Sequence, residues 1–214
     1  IDLPFYELVM GLESGGTSTV ISALSSENTS DKPTIKDMHI DYAGVFSKDK
    51  LVGYINSTHV QSFLLITALD IRETLITIEH PLSSDTQISV EIIRGDTRQK
   101  VKLEENRIKG IMDVAVIARL AEVHETEYSL EPNISKEIEE AVSMHIKENL
   151  LSLIDEMQDN FGTDIFGFGQ LVYKKEHNFW ESIESDWDAY FIQMPIDVYV
   201  DVKIERAGLI NKPS

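Results

Sequence analysis

Residues 196–205 carry the clearest pattern in this chain, because apolar and polar side chains alternate along the whole stretch. Alternation with a period of two indicates a β-strand that buries one face and exposes the other to water. The predicted buried face consists of Ile196, Val198, Val200, Val202 and Ile204. Such a strand needs an apolar layer to cover it, so the rest of the chain must supply one.

Residues 135–160 are the best candidate for that layer. Their apolar side chains recur at intervals of three or four, which predicts a long amphipathic helix. The apolar stripe consists of Ile138, Val142, Ile146, Leu150, Leu153 and Met157. We expect Asn133 or Ser135 to cap the start of this helix and Gly162 to follow its C-terminal end. The helix should lie across the sheet.

Two shorter helices are predicted after the long one. Asp164 is a candidate cap for the first, and Lys174 and Lys175 stand near its C-terminal end. Its apolar face contains Ile165, Phe168, Gly169 and Val172. The second starts at Asn178, with Glu181 at the capping-box position, and stops at Pro195. Its buried stripe contains Trp180, Ile183, Trp187 and Phe191.

Four consecutive β-segments are predicted upstream of the helices. They span residues 71–79, 87–93, 100–108 and 113–128. Turn-forming residues separate them at positions 80–85, 94–96 and 109–110. Successive strands with short turns form an antiparallel sheet. Because strands and helices are segregated along the chain, we predict an α+β, two-layer domain over residues 63–214.

Residues 1–62 are predicted to form a smaller α+β domain. Residues 3–10 read as a short helix, and a strand is expected around residues 19–23. A polar turn at residues 47–50 joins the two strands of a β-hairpin. Ser57 is the predicted cap of a helix that runs from Thr58 towards Ala68, and we place the domain boundary near Ser62.

Composition excludes several classes of function. The chain has 19 basic and 37 acidic residues, a formal net charge of −18, which repels a phosphate backbone, so nucleic acid is not an expected partner. Without cysteine there is no disulfide, thiolate metal site or cysteine nucleophile. No apolar run approaches the roughly 20 residues of a membrane helix. Because residues 122–188 hold 17 acids against 4 bases, we expect one strongly negative face.

The histidines and carboxylates form no recognised catalytic or metal-binding motif. None of the six histidines has ligand spacing to another. We therefore predict no catalytic residue, no metal and no cofactor, and a protein that is not an enzyme. Two alternatives stay open. The acidic half could bind calcium or another cation, and Asp155 with Asp159, or Asp186 with Asp188, could serve a hydrolase.

Phe166-Gly167-Phe168-Gly169 invites comparison with a phosphate-binding loop. The dinucleotide-binding fingerprint requires a third glycine where this chain has Val172, so that interpretation fails. We interpret the two glycines as permitting close helix packing beside two core phenylalanines. Trp187 shares a helical face with Trp180, which favours burial in the core. Phe166 to Gly169 and Trp187 are our candidates for a packing motif or a partner surface.

Two stretches carry a resemblance to a known family. One is residues 42–54, which read Tyr-Ala-Gly-Val-Phe-Ser-Lys-Asp-Lys-Leu-Val-Gly-Tyr. The other runs from Asp164 through Trp180 and the Asp-Trp-Asp at residues 186–188 to the alternating strand and residues 206–210. Together they resemble the Ger(x)C lipoprotein family, the C subunits of spore germination receptors. The resemblance covers essentially the whole chain and implies the family's middle and third domains.

This resemblance implies a role rather than a reaction. It implies a non-catalytic scaffolding or signal-coupling subunit of a nutrient germinant receptor, placed beside membrane-embedded A and B subunits. The implied location is the inner membrane of a bacterial spore, reached through an N-terminal lipid that this sequence does not contain. By itself we expect the chain to be soluble, because its negative charge is repelled by anionic lipid. The family supplies no catalytic, cofactor or metal residue.

Overall fold

A computed structural model describes residues 18–26, 38–67, 74–81, 83–122 and 132–205. The helix predicted at residues 3–10 lies outside these residues. Within them the strands form two sheets, one with the order β1-β2-β3 and one with the order β4-β5-β6-β7. Helices pack against both sheets.

The first sheet is antiparallel and contains the predicted hairpin. Its strands are β1 (Thr19–Ser26), β2 (Met38–Ser47) and β3 (Lys50–Asn56). Lys48, in the tight turn between β2 and β3, has a positive φ of 55°. One face of the sheet is buried through Val20, Ala43, Val45 and Ile55. The strand near residues 19–23 and the hairpin are therefore confirmed.

Helix α1 (Ser57–Thr67) follows β3 directly, and its cap differs from the predicted one. The backbone N–H of His59 donates to Asn56 Oδ1 at 2.9 Å. This is the bond that an N-cap side chain makes to the third residue of a helix. Ser57 is already the first helical residue, so Asn56 caps the helix and the prediction of Ser57 was wrong.

Replacing Asn56 with alanine should lower the free energy of unfolding by about 1 kcal/mol, because the N–H of His59 loses its acceptor. Ser57→Ala is the matched control and should change stability by less than about 0.5 kcal/mol. Urea denaturation of the two variants measures both effects. An equal loss in both would contradict the assignment of the cap.

The second sheet contains fewer and longer strands than predicted. They are β4 (Thr74–His80), β5 (Ser83–Glu104), β6 (Arg107–Glu122) and β7 (Ile196–Ile204). The predicted segment 87–93 lies within the single strand β5, whereas the predicted segment 100–108 spans the end of β5, the turn and the start of β6. The chain reverses instead at Glu105 and Asn106, whose φ values of 49° and 63° are both left-handed, as a two-residue hairpin turn requires.

The turns predicted at residues 94–96 and 109–110 were wrong. Gly95 pairs with Val116 inside the sheet, and the register shifts just before it, between Ile92 and Arg94. This glycine therefore follows a bulge rather than forming a turn. Gly110 also pairs within the sheet, where a Cβ atom would approach the ring of Phe168 to 2.9 Å. Because Gly110 has no side chain, the Phe168 ring can pack closely against the strand.

Strand β7 confirms the alternating pattern, and its direction makes the sheet mixed. Val198 and Val202 are buried, whereas Tyr199, Asp201 and Lys203 are exposed. β4, β5 and β6 pair antiparallel, but β7 pairs parallel to β6. A parallel pair needs a long crossover connection, and the helices between β6 and β7 provide it.

The long helix is confirmed. Helix α2 (Pro132–Asp155) continues as a π-helical turn, Glu156–Phe161, and ends at Gly162 with a φ of 60°. It begins before Asn133 and Ser135, so neither is the cap. All six residues of the predicted stripe are buried. The backbone N–H of Ile204 donates to Glu139 Oε1 at 2.9 Å, which ties α2 to β7.

Three short helices replace the two predicted ones. They are α3 (Phe168–Lys175), α4 (His177–Ile183) and α5 (Trp187–Phe191), with a 3₁₀ turn at Glu184–Asp186. The capping box at Asn178 does not form, because α4 begins at His177 and has no side-chain cap. Trp180, Trp187 and Phe191 are nevertheless buried as predicted.

The α+β class is confirmed, with a small sheet and helix followed by a four-stranded sheet covered by helices. The domain division at residues 62 and 63 stays a prediction. Helix α1 spans that division and is hydrogen-bonded to the large sheet and to α2. Thr97 Oγ1 of β5 donates to the carbonyl of Leu65 in α1 at 2.9 Å, and His59 of α1 contacts Ser152 of α2 at 3.1 Å.

Candidate functional site

The segment of residues 161–169 runs from the last residue of the π-helical turn into the first two residues of α3 and contacts both sheets, and we call it the junction loop. The backbone N–H of Ser18, just before β1, donates to the carbonyl of Asp164 at 2.6 Å. The hydroxyls of Ser18 and Thr163 are also hydrogen-bonded at 2.6 Å. Thr163 and Asp164 are among the few buried polar side chains in the described residues. The first strand is thus anchored to the loop by two bonds.

The carboxylate of Asp164 organises the loop from within. Its Oδ1 accepts hydrogen bonds from the backbone N–H groups of Phe166 and Gly167, both at 2.9 Å. Its Oδ2 accepts one from Gly169 at 2.8 Å. These N–H groups stand at the start of α3, where no helical carbonyl can reach them. Asp164 was predicted as the cap of this helix, but the N-cap position is Gly167, because α3 begins at Phe168; Asp164 instead accepts the N–H of Gly169 from the preceding loop.

Burial raises the pKa of Asp164 to about 7, from an ordinary value of 3.8. The three backbone N–H groups and the indole of Trp187 act in the opposite direction, because they favour the ionised form. The indole N–H of Trp187 has no hydrogen-bond partner of good geometry among the described residues, so it lowers the pKa of Asp164 less than the backbone donors do. The cost of enclosing the charge therefore exceeds the gain from its donors.

The sequence-predicted site residues all lie around this carboxylate. Phe166 and Phe168 are buried with their rings edge-on at 6.3 Å, and Phe166 also contacts Phe191 at 6.2 Å. Gly167 has a φ of 82°, a conformation that side chains rarely adopt, while Gly169 is buried. Trp187 stacks on Tyr190 with ring centroids 6.0 Å apart.

The hairpin stretch packs on Phe161, just before the second stretch, and lies near Asp188 within it. A Cβ atom at Gly53 of the hairpin would overlap the ring of Phe161, so the ring packs directly on the glycine backbone. Lys48 in the hairpin turn lies close enough to Asp188 of α5 to lower its pKa, against the larger effect of burial, which raises it. The hairpin, the junction loop and α5 therefore form one packed unit.

Sequence reasoning missed part of this site. Ser18, Thr163 and Phe161 carry no motif, because their roles depend on contacts between distant parts of the chain. Gly53 and Asp164 were inside the quoted stretches, but their partners were not evident. An aspartate directly before an apolar run with two glycines was the one available signal for a buried cap.

The geometry of the described residues gives little support to the cation-binding and hydrolase alternatives. No group of three or more histidines and carboxylates there is arranged to hold a metal ion. Asp155 and Asp159 line an open depression with Glu148 and Glu156, on the exposed side of α2 and its π-helical turn. His145, in the middle of α2, is hydrogen-bonded to Asn149 at 3.1 Å.

Helices that cross a bilayer are long and predominantly apolar. In the described part of the chain, no helix combines enough length with enough apolar character to span a bilayer.

The similarity to known proteins includes both stretches that carry the family resemblance. A family model described as "Spore germination B3/ GerAC like, C-terminal" matches residues 41–208. Spore germination protein KC of Bacillus subtilis (strain 168) is 25% identical over 191 residues, which cover 89% of this chain and 46% of that protein. The chain thus spans about half the length of this relative.

A solved structure shows the same fold. The crystal structure of the GerBC protein matches with a TM-score of 0.80 at 18% sequence identity, covering 96% of this chain and 62% of that one. The fold, rather than the sequence, carries this likeness. Since the family model also covers most of the chain, the predicted resemblance is confirmed, and the chain belongs to the Spore germination B3/GerAC-like, C-terminal family.

Proposed function

We propose that this chain acts in spore germination as a non-catalytic scaffolding and signal-coupling part of a germinant receptor C subunit. The observation that carries the proposal is the family match over residues 41–208. The name of the similar Bacillus subtilis protein, spore germination protein KC, supports the same process. The proposed partners are the A and B subunits of the receptor, and the proposed location is the spore inner membrane, reached through an N-terminal lipid.

The state of Asp164 supports a role without catalysis. A carboxyl group with a pKa near neutrality is often a general acid or base. Here the side chain is enclosed, and both oxygens already accept backbone hydrogen bonds. A substrate has no access to it. Burial of Asp164 at a structural position is enough to explain its raised pKa.

The junction loop supports signal coupling. Its hydrogen bonds hold the start of β1, and its Phe161 ring holds β3, while Asp164 itself sets the start of α3. A displacement of the small sheet would therefore be transmitted to the helices over the large sheet. Packed contacts of this kind have discrete arrangements rather than a continuous range of positions.

The test is co-purification from spore membranes. Full-length protein with this region deleted is compared with the intact protein, and the A and B subunits are measured after affinity capture. We expect the deletion to release both subunits while the protein stays in the membrane fraction. Retention of both subunits would overturn the assembly role for this region.

A second comparison separates scaffolding from hydrolysis. Asp155→Asn combined with Asp159→Asn changes two exposed carboxylates in the open depression and should leave the fold intact. A scaffold predicts unchanged nutrient-triggered germination in spores that carry this double variant. Loss of germination with normal protein abundance would favour the hydrolase instead.

A further inference from the structure

The two edges of the large sheet are protected very differently. Strand β7 carries Asp197, Asp201 and Lys203 along its exposed face, and charges of this kind discourage pairing with another strand. Strand β4 forms the opposite edge and reads Thr-Leu-Ile-Thr-Ile before its first charged residue, Glu79. It contains no proline or lysine. Among the described residues no strand pairs with the outer side of β4, and its side chains do nothing to discourage such pairing.

A groove runs along this edge. It has a volume of about 250 Å³ and lies between β4, α1 and α2. Four consecutive residues of β4, Thr74 to Thr77, line it together with Ile92 of β5, so the groove follows the strand edge and reaches onto the helix-covered face of the sheet. Opposite them stand Gln61 and Leu65 of α1 and Ile146 of α2. A strand edge facing helices across a groove is the geometry by which some domains take up an extended peptide.

The groove differs in charge from the rest of the molecule. None of its lining residues is Asp, Glu, Lys or Arg, although 26% of the chain is charged. Its polar groups are hydroxyls, amides and the imidazole of His145. The volume is also below the roughly 300–1,000 Å³ of typical small-molecule sites. The groove fits a strip of backbone with one or two small apolar side chains better than a compact ligand.

Charge also argues against a second copy of this chain as the occupant. Each copy has a formal net charge of −18, so pairing of two β4 edges would bring two strongly negative molecules together. A segment without acidic residues avoids that repulsion, and basic residues beyond the groove would be attracted by the acidic surface.

We propose that the edge of β4, with the groove between it and helices α1 and α2, binds an extended segment of a different protein by strand addition. The segment has β-branched or other small apolar side chains at alternate positions and no acidic residues. Backbone hydrogen bonds to β4 provide affinity, and the uncharged groove selects the side chains. This inference rests on the assembly role proposed above, for which it supplies a contact surface.

The test uses the 214-residue chain, labelled for NMR, and a synthetic peptide of about eight residues that alternates threonine and valine between terminal lysines. A control peptide has the same side chains and charge, but alternate backbone N–H groups are methylated. Strand addition predicts that the first peptide slows amide hydrogen exchange in β4, and that the methylated peptide does not. Equal effects of both peptides would show charge attraction alone and would overturn the proposal.

Two matched variants locate the binding. Gln61 is exposed and lines the groove, so Gln61→Trp should fill the groove and weaken binding at least about tenfold. Gln193 is exposed on the far helix cluster, so Gln193→Trp should bind as the unmodified chain does. No protection of β4 at about 1 mM peptide, or equal affinity of both variants, overturns the proposal.

The mass of the chain in solution and the capture of receptor subunits from spore membranes test two different claims, the identity of the occupant and the assembly role. A dimer of the unmodified chain that dissociates in Gln61→Trp would replace the proposed occupant by a second copy. Failure of peptide binding while deletion of the region still releases the A and B subunits rejects only the β4 surface. Peptide binding with both subunits retained rejects the assembly role and leaves the surface established.

Discussion

Replacing Asp164 with alanine is expected to lower the free energy of unfolding by about 3–5 kcal/mol. Three backbone N–H groups, those of Phe166, Gly167 and Gly169, would stay buried without an acceptor. Each unsatisfied group costs about 1–3 kcal/mol. Urea denaturation of the 214-residue chain measures the loss.

Two further variants sharpen this result. Asp164→Asn keeps an oxygen for Phe166 and Gly167 but turns its amide N–H₂ towards the N–H of Gly169, so its loss should be about half that of alanine. Asp155→Ala removes an exposed carboxylate and should stay within about 0.5 kcal/mol of the unmodified chain. A loss in Asp164→Ala no larger than in Asp155→Ala would contradict the structural role.

The same carboxyl group predicts a pH dependence. Because burial raises its pKa in the folded chain to about 7, the folded state binds this proton more tightly than the unfolded state does. Its contribution to stability is full below about pH 3.8, falls as the pH rises towards 7, and is level above that. We therefore expect the stability difference between the unmodified chain and Asp164→Asn to fall from pH 4 to 7.

The comparison with Asp164→Asn isolates this group from the many other acids, whose titration is common to both chains. A difference that stays level from about pH 5 to 7, after any rise close to pH 4, would mean that the N–H donors outweigh burial and that Asp164 is ionised over this range.

Gly53→Ala is expected to cost about 1–3 kcal/mol, because its new Cβ atom would overlap the Phe161 ring and force the hairpin and the junction loop apart. Gly44→Ala is the matched control on the opposite face of the same hairpin. There the nearest atom is the end of the Leu51 side chain at 3.0 Å, and Leu51 is 44% exposed and able to move. Gly44→Ala should cost less than about 0.5 kcal/mol.

Thermal or urea unfolding measures both substitutions, and a double variant tests the cause. If the ring of Phe161 is the obstacle, Phe161→Leu combined with Gly53→Ala should lose less stability than the sum of the two single changes. Additive losses would place the strain of Gly53→Ala elsewhere.

Much of the local structure could be predicted from the sequence because it repeats over short distances. The stripe of α2 and the alternation of β7 each record which face of one element is buried, and neighbouring residues contain that information. The hairpin at residues 42–54 has both its turn and its strands within one short stretch. The element boundaries were less accurate, because Asn56 and Pro132 were not recognised as the cap and the start of their helices.

The candidate site depended more on the tertiary structure. Phe166 to Gly169 and Trp187 were identified from sequence, but their common centre at Asp164 was not. The contact of Gly53 with Phe161 joins residues far apart in the chain, and no local pattern specifies such a partner. The same holds for the bond between Ser18 and Asp164.

The sequence alone determined the long helix α2 and the alternating strand β7 with the faces they bury, the acidic character of the chain and its family. Only the tertiary structure decided that β5 runs unbroken past Gly95, that β7 joins β6 in parallel, and that Asp164 is enclosed in a loop that contacts both sheets. The physical reason is that periodicity and charge are properties of single segments. Strand order, close approach at a glycine and the burial of a carboxyl group depend on which distant surfaces come together.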